Sequence, residues 1–359
     1  MPRIQVTMQD VAAKAGVSQT LVSFYLTGRQ SVSPETAQRI QAAIEELDYH
    51  PNALARSLRL KRSGAIGVMV PFLTNPSFAI MAAAAEAVLA ASQMLTFIWS
   101  TGPDPERRRA YFRALRMSHA EGLLVFPSYD IVDQINAVAR QGIPVVLMER
   151  DLTARQSDLV MDAVIMDNGL GVRQATEHLL KLGHTRIGLI NLGKDSPSAA
   201  QRTEAYKQPL ASYDQEFDEE LIAWFPGTPR GGYQATHHLL GLADPPTAVV
   251  VTTNMQTVGV LSAIGELGLE MPKDLSVIGF GHPGFELWPA IPLTVISQDV
   301  DAVGRAAAEM LLARLRGEEA GSSRTITLAT QLEIKASTCT PTNRHRTYDI
   351  GPLTGARGP

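Results

Sequence analysis

Arg56, Arg59, Lys61 and Arg62 follow Pro51 with no acidic residue among positions 51–62. Charge of one sign at that density can neutralise nucleic-acid phosphates, and it also occurs in plain charged linkers. The other groupings that could do chemistry fall short. Gly188 to Asp195 has the glycine and lysine spacing of a phosphate-binding loop, but no Ser or Thr follows Lys194 and the intervening residues read as a strand. His237 and His238 are adjacent, so on a helix they diverge by about 100° and make a poor metal pair. They read as surface residues. Glu149, Asp151 and Asp162 read as strand-end acids rather than a catalytic pair. The single cysteine, Cys339, excludes an internal disulfide or a cysteine-held cluster within one chain. No enzymatic step, metal or cofactor is expected.

The elements ahead of the basic run bear on which of its readings holds. Thr7-Met8-Gln9-Asp10 has the form of a helix start, with a hydroxyl to accept first-turn amides and an acid three residues on. That helix runs to about Ala15, and Gly16 permits a tight turn. Ser18 caps a second helix from Gln19 to about Leu26, and Ser33-Pro34-Glu35 opens a third. Ile40, Ala43, Ile44 and Leu47 give the third helix one apolar face. Ala12, Gly16 and Val22 match the helix-turn-helix spacing, in which the second helix enters a DNA major groove. An ordinary three-helix bundle would use the same residues as core.

The chain of 359 residues suggests two to three domains of about 150 residues each. Net charge is −4, unevenly spread: residues 1–63 carry eight basic and five acidic residues, and the remainder carries 24 and 31. A small basic module on an acidic body suggests two tasks in one chain. From residue 64, apolar runs alternate with helical stretches. Candidate strands are 65–70, 95–99, 123–126, 145–148, 163–166, 186–190, 248–251, 276–280 and 294–296. Continuous apolar runs between helices mean parallel sheets buried on both faces, here as two doubly wound subdomains with a ligand cleft at their strand ends. Residues 79–91 are alanine-rich, contain Glu86 and are too short for a membrane span. No signal peptide is visible, and a soluble, cytoplasmic protein is expected.

Val6 to Ser18, together with Leu47-Asp48-Tyr49-His50-Pro51-Asn52 and Ala55-Arg56-Ser57-Leu58, resembles the head and hinge of the lactose-repressor (LacI) family of bacterial transcription regulators. Val70 to Phe78, Thr176 to Gly188 and Leu267 to Phe280 extend the resemblance along the core, to about residue 340. It implies an all-α helix-turn-helix head over 1–50, a hinge over 51–63, and an α/β core over 64–340 resembling periplasmic sugar-binding proteins, crossed three times by the chain. Residues 341–359 read as a flexible tail. It further implies that Gln19 and Thr20 reach base edges, with Ser18 and Ser23 nearer the backbone. Thr7, Arg29, Asn52, Arg56 and Arg59 complete the contacts, and Leu58 beside Ala55 wedges into a central base step of the minor groove. Phe24 departs from the polar or basic residue often found there.

In the cleft, the resemblance implies effector contacts from Phe72, Glu149 and Arg202. Here the sequence departs from the family: an Asn-Asp pair reads Thr253-Asn254, an Asp-Asp pair reads Gly281-His282, and an aromatic position near 227 is glycine. Loss of the second pair removes an acceptor for vicinal sugar hydroxyls. A sugar gripped differently, an anionic ligand held by Arg202 and His282, and a degenerate pocket all remain open. The implied protein is a ligand-responsive repressor that binds a palindromic double-stranded operator as a homodimer, with no membrane partner. A cleft-type binding protein or enzyme, or a co-regulator recruited by another protein, are the competing classes.

Overall fold

The protein, as a computed structural model, is described over residues 6–27, 32–49, 63–150, 159–194, 196–281, 292–319 and 321–342. The expected contacts Arg29, Asn52, Ala55, Arg56, Leu58, Arg59 and His282 lie outside these residues. The chain divides into two compact units, Met1–Gly64 and Ala65–Pro359.

The first unit holds three helices, α1 (Met8–Ala15), α2 (Gln19–Thr27) and α3 (Pro34–Glu46). Gly16 ends α1 at φ 64°, where its N–H closes on the carbonyls of Ala12 and Ala13. A residue with a Cβ would be strained there, so glycine makes the turn between α1 and α2. Val11, Ala12, Ala15, Val22, Ile40, Ala43 and Tyr49 form the buried centre.

The second unit contains two six-stranded sheets. The first is ordered β11-β5-β4-β3-β1-β2 and the second β12-β10-β9-β8-β6-β7. In sequence these are β1 (Ala65–Val70), β2 (Leu95–Ser100), β3 (Gly122–Val125), β4 (Val145–Glu149), β5 (Asp162–Asp167), β6 (Ile187–Asn191), β7 (Ile222–Trp224), β8 (Ala248–Val251), β9 (Ser276–Phe280), β10 (Thr294–Ser297), β11 (Thr325–Ala329) and β12 (Gln331–Glu333). The described pairings are parallel apart from β10 with β12. Strands β1, β3, β6, β8 and β9 are buried along their whole length, as helices on both faces require.

The covering helices are α4 (Pro76–Ala91), α5 (Pro105–Met117), α6 (Val132–Ala139), α7 (Asn168–Lys181), α8 (Pro197–Ser212), α9 (Pro229–Leu240), α10 (Asn254–Glu266) and α11 (Val300–Arg316). The alanine-rich α4 lies in the core of the first sheet with α11. None of the described helices is long and apolar enough to cross a membrane.

The chain passes between the subdomains after β5, after β10 and after β11. The crossings are tied together: Gln298 Nε2 donates to Asn168 Oδ1 at 2.6 Å, and Thr330 Oγ1 donates to the Asp167 carbonyl at 2.8 Å. One expectation is corrected. His237 is buried, 4.5 Å from the Tyr233 ring, and only His238 is exposed. It sits on α9, which packs tightly against α10.

Candidate functional site

The head presents the first turn of α2. Ser18, Gln19, Thr20 and Leu21 are exposed there, and Ser23 and Phe24 are half-buried. Ser18 Oγ accepts the Leu21 N–H at 3.2 Å, so its hydroxyl anchors the start of the helix. Thr7 is similarly engaged. Its hydroxyl donates to the Asp10 carboxylate at 2.7 Å and accepts the Asp10 N–H at 3.4 Å, while its own N–H donates to that carboxylate at 2.7 Å. These bonds from Thr7 hold the Asp10 carboxyl below its usual range. Lys14 pairs with Glu46 at 2.5 Å, and Tyr25 donates to Gln41 at 2.8 Å, bracing α1 and α2 against α3.

Helix α2 carries no charged residue, so whatever it touches is met by an amide, hydroxyls and apolar atoms. Sequence reasoning overlooked Leu21. Its position one residue before the core residue Val22 turns it by about 100° toward solvent, and that spacing was the available signal.

In the core, the candidate effector residues meet where strands end. Glu149 closes β4 at φ 67°. Burial raises its carboxyl, and the charges of Arg150 and Arg202 oppose that rise. Arg202, on α8 and 3% exposed, lies over the Phe280 ring at 4.9 Å, and its Nε and Nη1 have no hydrogen-bond partner. Burial lowers it to about 10 despite the nearby Glu149. Arg150 stacks on Phe126 at 4.6 Å, and Phe78 meets Phe126 edge-on at 4.8 Å. Phe72 is exposed on the loop leading to Asn75.

Asn254, at the start of α10, bridges the two subdomains. Its Nδ2 donates to Asn75 Oδ1 at 2.7 Å and Ser77 Oγ at 3.0 Å, while Asn75 Nδ2 donates back to Asn254 Oδ1 at 3.3 Å. Thr253 is a helix cap: its hydroxyl accepts the Gln256 N–H at 3.1 Å and donates to Gln256 Oε1 at 3.0 Å. Gly281 stands at φ 84°, and a Cβ there would lie 3.0 Å from Asn254 Cβ. A side chain there would be strained by the positive φ and would crowd the bridging asparagine. The structure thus brings Glu149, Arg202, Asn254 and Gly281 into one neighbourhood and engages the Thr253 hydroxyl with the backbone and side chain of Gln256. Asn75, Ser77, Arg150 and Phe280 were not among the expected contacts.

Asp162 lies apart from this cluster. It opens β5, with its side chain fully buried, and pairs with Arg314 at 2.7 Å and Arg324 at 2.8 Å. Among the described residues, no group of His, Cys, Asp and Glu is placed to hold a metal ion.

Residues 7–52 match the model of bacterial regulatory proteins of the lacI family, and residues 176–338 match a periplasmic binding protein-like domain. An HTH-type transcriptional repressor PurR of Mannheimia succiniciproducens is 31% identical over 334 residues, covering 92% of this chain and 98% of the relative. A ribose operon repressor of Haemophilus influenzae is 30% identical over 310 residues, 86% of this chain and 92% of the relative. A lac repressor dimer bound to operator and the anti-inducer ONPF superposes with a TM-score of 0.81 at 25% identity, over 93% of this chain and 99% of the other.

Proposed function

Since the chain belongs to the lacI family of bacterial regulatory proteins, we propose that it represses transcription in the cytoplasm, as a homodimer on a palindromic operator, under control of a small molecule in the core cleft. The observation that carries this reading is the exposed, uncharged first turn of α2, held on a helix-turn-helix unit whose capping and side-chain bonds fix it. Gln19 and Thr20 reach base edges, and Leu21 and Phe24 offer apolar contact to thymine methyls. Ser18, Ser23, Thr7 and Arg29 lie nearer the phosphates.

Residues 1–50 form the head, 51–63 the hinge, 64–340 the core and 341–359 a tail. In the hinge, Asn52, Arg56 and Arg59 contact the duplex, and Leu58 beside Ala55 enters the minor groove. The effector contacts are Phe72, Glu149, Arg202 and His282, with Thr253 and Gly281 shaping the wall. A ligand with unequal affinity for two arrangements of the subdomains shifts their populations, and with them the spacing of the paired hinges.

Selection of randomised duplexes by the full-length protein at low ionic strength tests the reading. Enrichment of a two-fold symmetric motif is expected, and the absence of any enriched motif, with or without candidate metabolites, overturns it. Gln19→Ala is expected to cost about 1–3 kcal/mol of discrimination at one base pair of each half-site and to leave non-specific affinity unchanged. Binding to single-base operator variants measures it.

The dimer face includes the outer edge of the first sheet, strand β2, where Leu95, Phe97 and Ile98 are exposed; Leu95, at 63%, is the most open of them. Phe97→Lys puts a charge into that face and is expected to weaken the dimer by about 2 kcal/mol or more. Sedimentation over a dilution series reads this, and an unchanged dimer removes the strand from the interface.

A further inference from the structure

Two guanidinium groups from opposite subdomains share one arrangement. Arg150 follows the end of β4, and Arg202 stands on α8. Each has its guanidinium carbon over a phenylalanine ring, Phe126 at 4.6 Å or Phe280 at 4.9 Å, and each keeps a buried Nε–H without an acceptor. Arg202 adds an unpartnered Nη1 and is almost wholly inaccessible to water. The ring occupies part of each cation's surroundings without offering an acceptor, and guanidinium N–H groups point out in their own plane, as a fork that fits a two-oxygen acceptor.

The charges are unbalanced as well. Arg150 and Arg202 each act on Glu149, and Arg150 acts on Arg202. One carboxylate thus faces two cations, and its own burial weakens it as an acid. A neutral hydroxyl could accept one N–H, but it would leave the surplus charge uncompensated beside the buried Arg202.

We propose that the effector carries an oxyanion, a carboxylate or a phosphate ester, that accepts from Arg150 and Arg202 together and so ties the two subdomains through one group. This rests on the cleft being the effector site. Glu149 is then left to accept hydroxyl or amine donors elsewhere on the same molecule, which makes a hydroxylated acid or a phosphorylated polyol the fitting class.

The test is thermal unfolding of the full-length protein, without DNA, in sodium formate or sodium phosphate at tens of millimolar, against sodium chloride at equal ionic strength. D-Ribose and D-glucose serve as neutral controls. At least one oxyanion is expected to raise Tm by about 2 °C or more beyond chloride. A response to formate points to a carboxylate, and one confined to phosphate points to a phosphate ester. Arg202→Gln and Arg150→Gln are each expected to abolish the excess. Arg150→Gln lies at a half-buried strand end, so it remains informative if the Arg202 variant fails to fold.

Shifts that persist in both variants mean adventitious ions only and overturn the proposal. So does stabilisation by the neutral sugars without any response to oxyanions, or no excess over chloride at all. An operator motif retained in any of those cases leaves the repressor reading intact and removes only the ligand class.

Discussion

Gly259→Val is expected to unfold the C-terminal subdomain under conditions where the parent protein is stable. Helices α9 and α10 cross with their backbones in contact. A Cβ on Gly259 would lie 1.8 Å from the Pro229 carbonyl oxygen and 2.5 Å from the Tyr233 nitrogen, and one on Gly232 would lie 2.0 Å from the Gln256 carbonyl oxygen. Backbone cannot swing aside as a side chain can, so the helices must part. Parting them loosens Ala235, Leu239, Val260 and Ile264 in the cluster beneath. Ordinary overpacking costs about 1–3 kcal/mol. A clash with main chain is expected to exceed that, at about 4 kcal/mol or more, a large share of a typical stability of about 5–15 kcal/mol. Gly265→Ala, on the same helix with open space around it, serves as the control and should be neutral or gain about 0.5–1 kcal/mol. Denaturant midpoints separate the two, and equal midpoints would refute the close approach.

The second large effect is expected at Asp162. Its carboxylate takes two bonds from Arg314, at 3.0 and 2.7 Å, one from the Arg324 guanidinium at 2.8 Å, and the Arg324 N–H at 2.9 Å. The group fastens the start of β5 to the end of α11 and the start of β11. Asp162→Ala leaves the largely buried Arg314 guanidinium without its counter-charge, while Arg324 keeps Glu319 at 3.1 Å, and is expected to cost about 3 kcal/mol. Burial raises the Asp162 carboxyl, but the bonds from Arg314 and Arg324 outweigh it and hold the group below its ordinary value. A carboxyl depressed in the folded state contributes stability above the unfolded pKa, near 4, and loses it as pH falls through the folded pKa. Between pH about 4 and 2, the parent should therefore lose stability more steeply than Asp162→Ala. Parallel slopes would mean that the triad does not form.

Local signals carried most of the fold. The Thr7–Asp10 box, the Gly16 turn and the Ser33-Pro34 start could be read because each is complete within four residues. The apolar runs were legible because strands buried on both faces tolerate little else. Strands β7, β11 and β12 were missed: β12 is three residues and β11 is mostly exposed at a sheet edge, so neither makes a continuous apolar run, whereas β7 lies in the short apolar run Leu221 to Phe225 and was overlooked. In the cleft, Arg202 and Glu149 came from resemblance alone. The Asn75–Asn254 bridge joins residues 179 positions apart, a separation that no local pattern encodes. Thr253 likewise came from resemblance, and the part its hydroxyl plays as the cap of α10 depends on Gln256 three residues on.

That bridge has a consequence for how the repressor experiences the cell. Amides hold no formal charge at any physiological acidity, so screening by dissolved ions takes little from a paired, part-buried set. The grip of the head on phosphates, by contrast, weakens steeply as electrolyte rises. Rising electrolyte would then loosen the protein from its operator while leaving the amide bridge intact, whereas the hold of Arg150 and Arg202 on an oxyanion would weaken along with the grip on DNA.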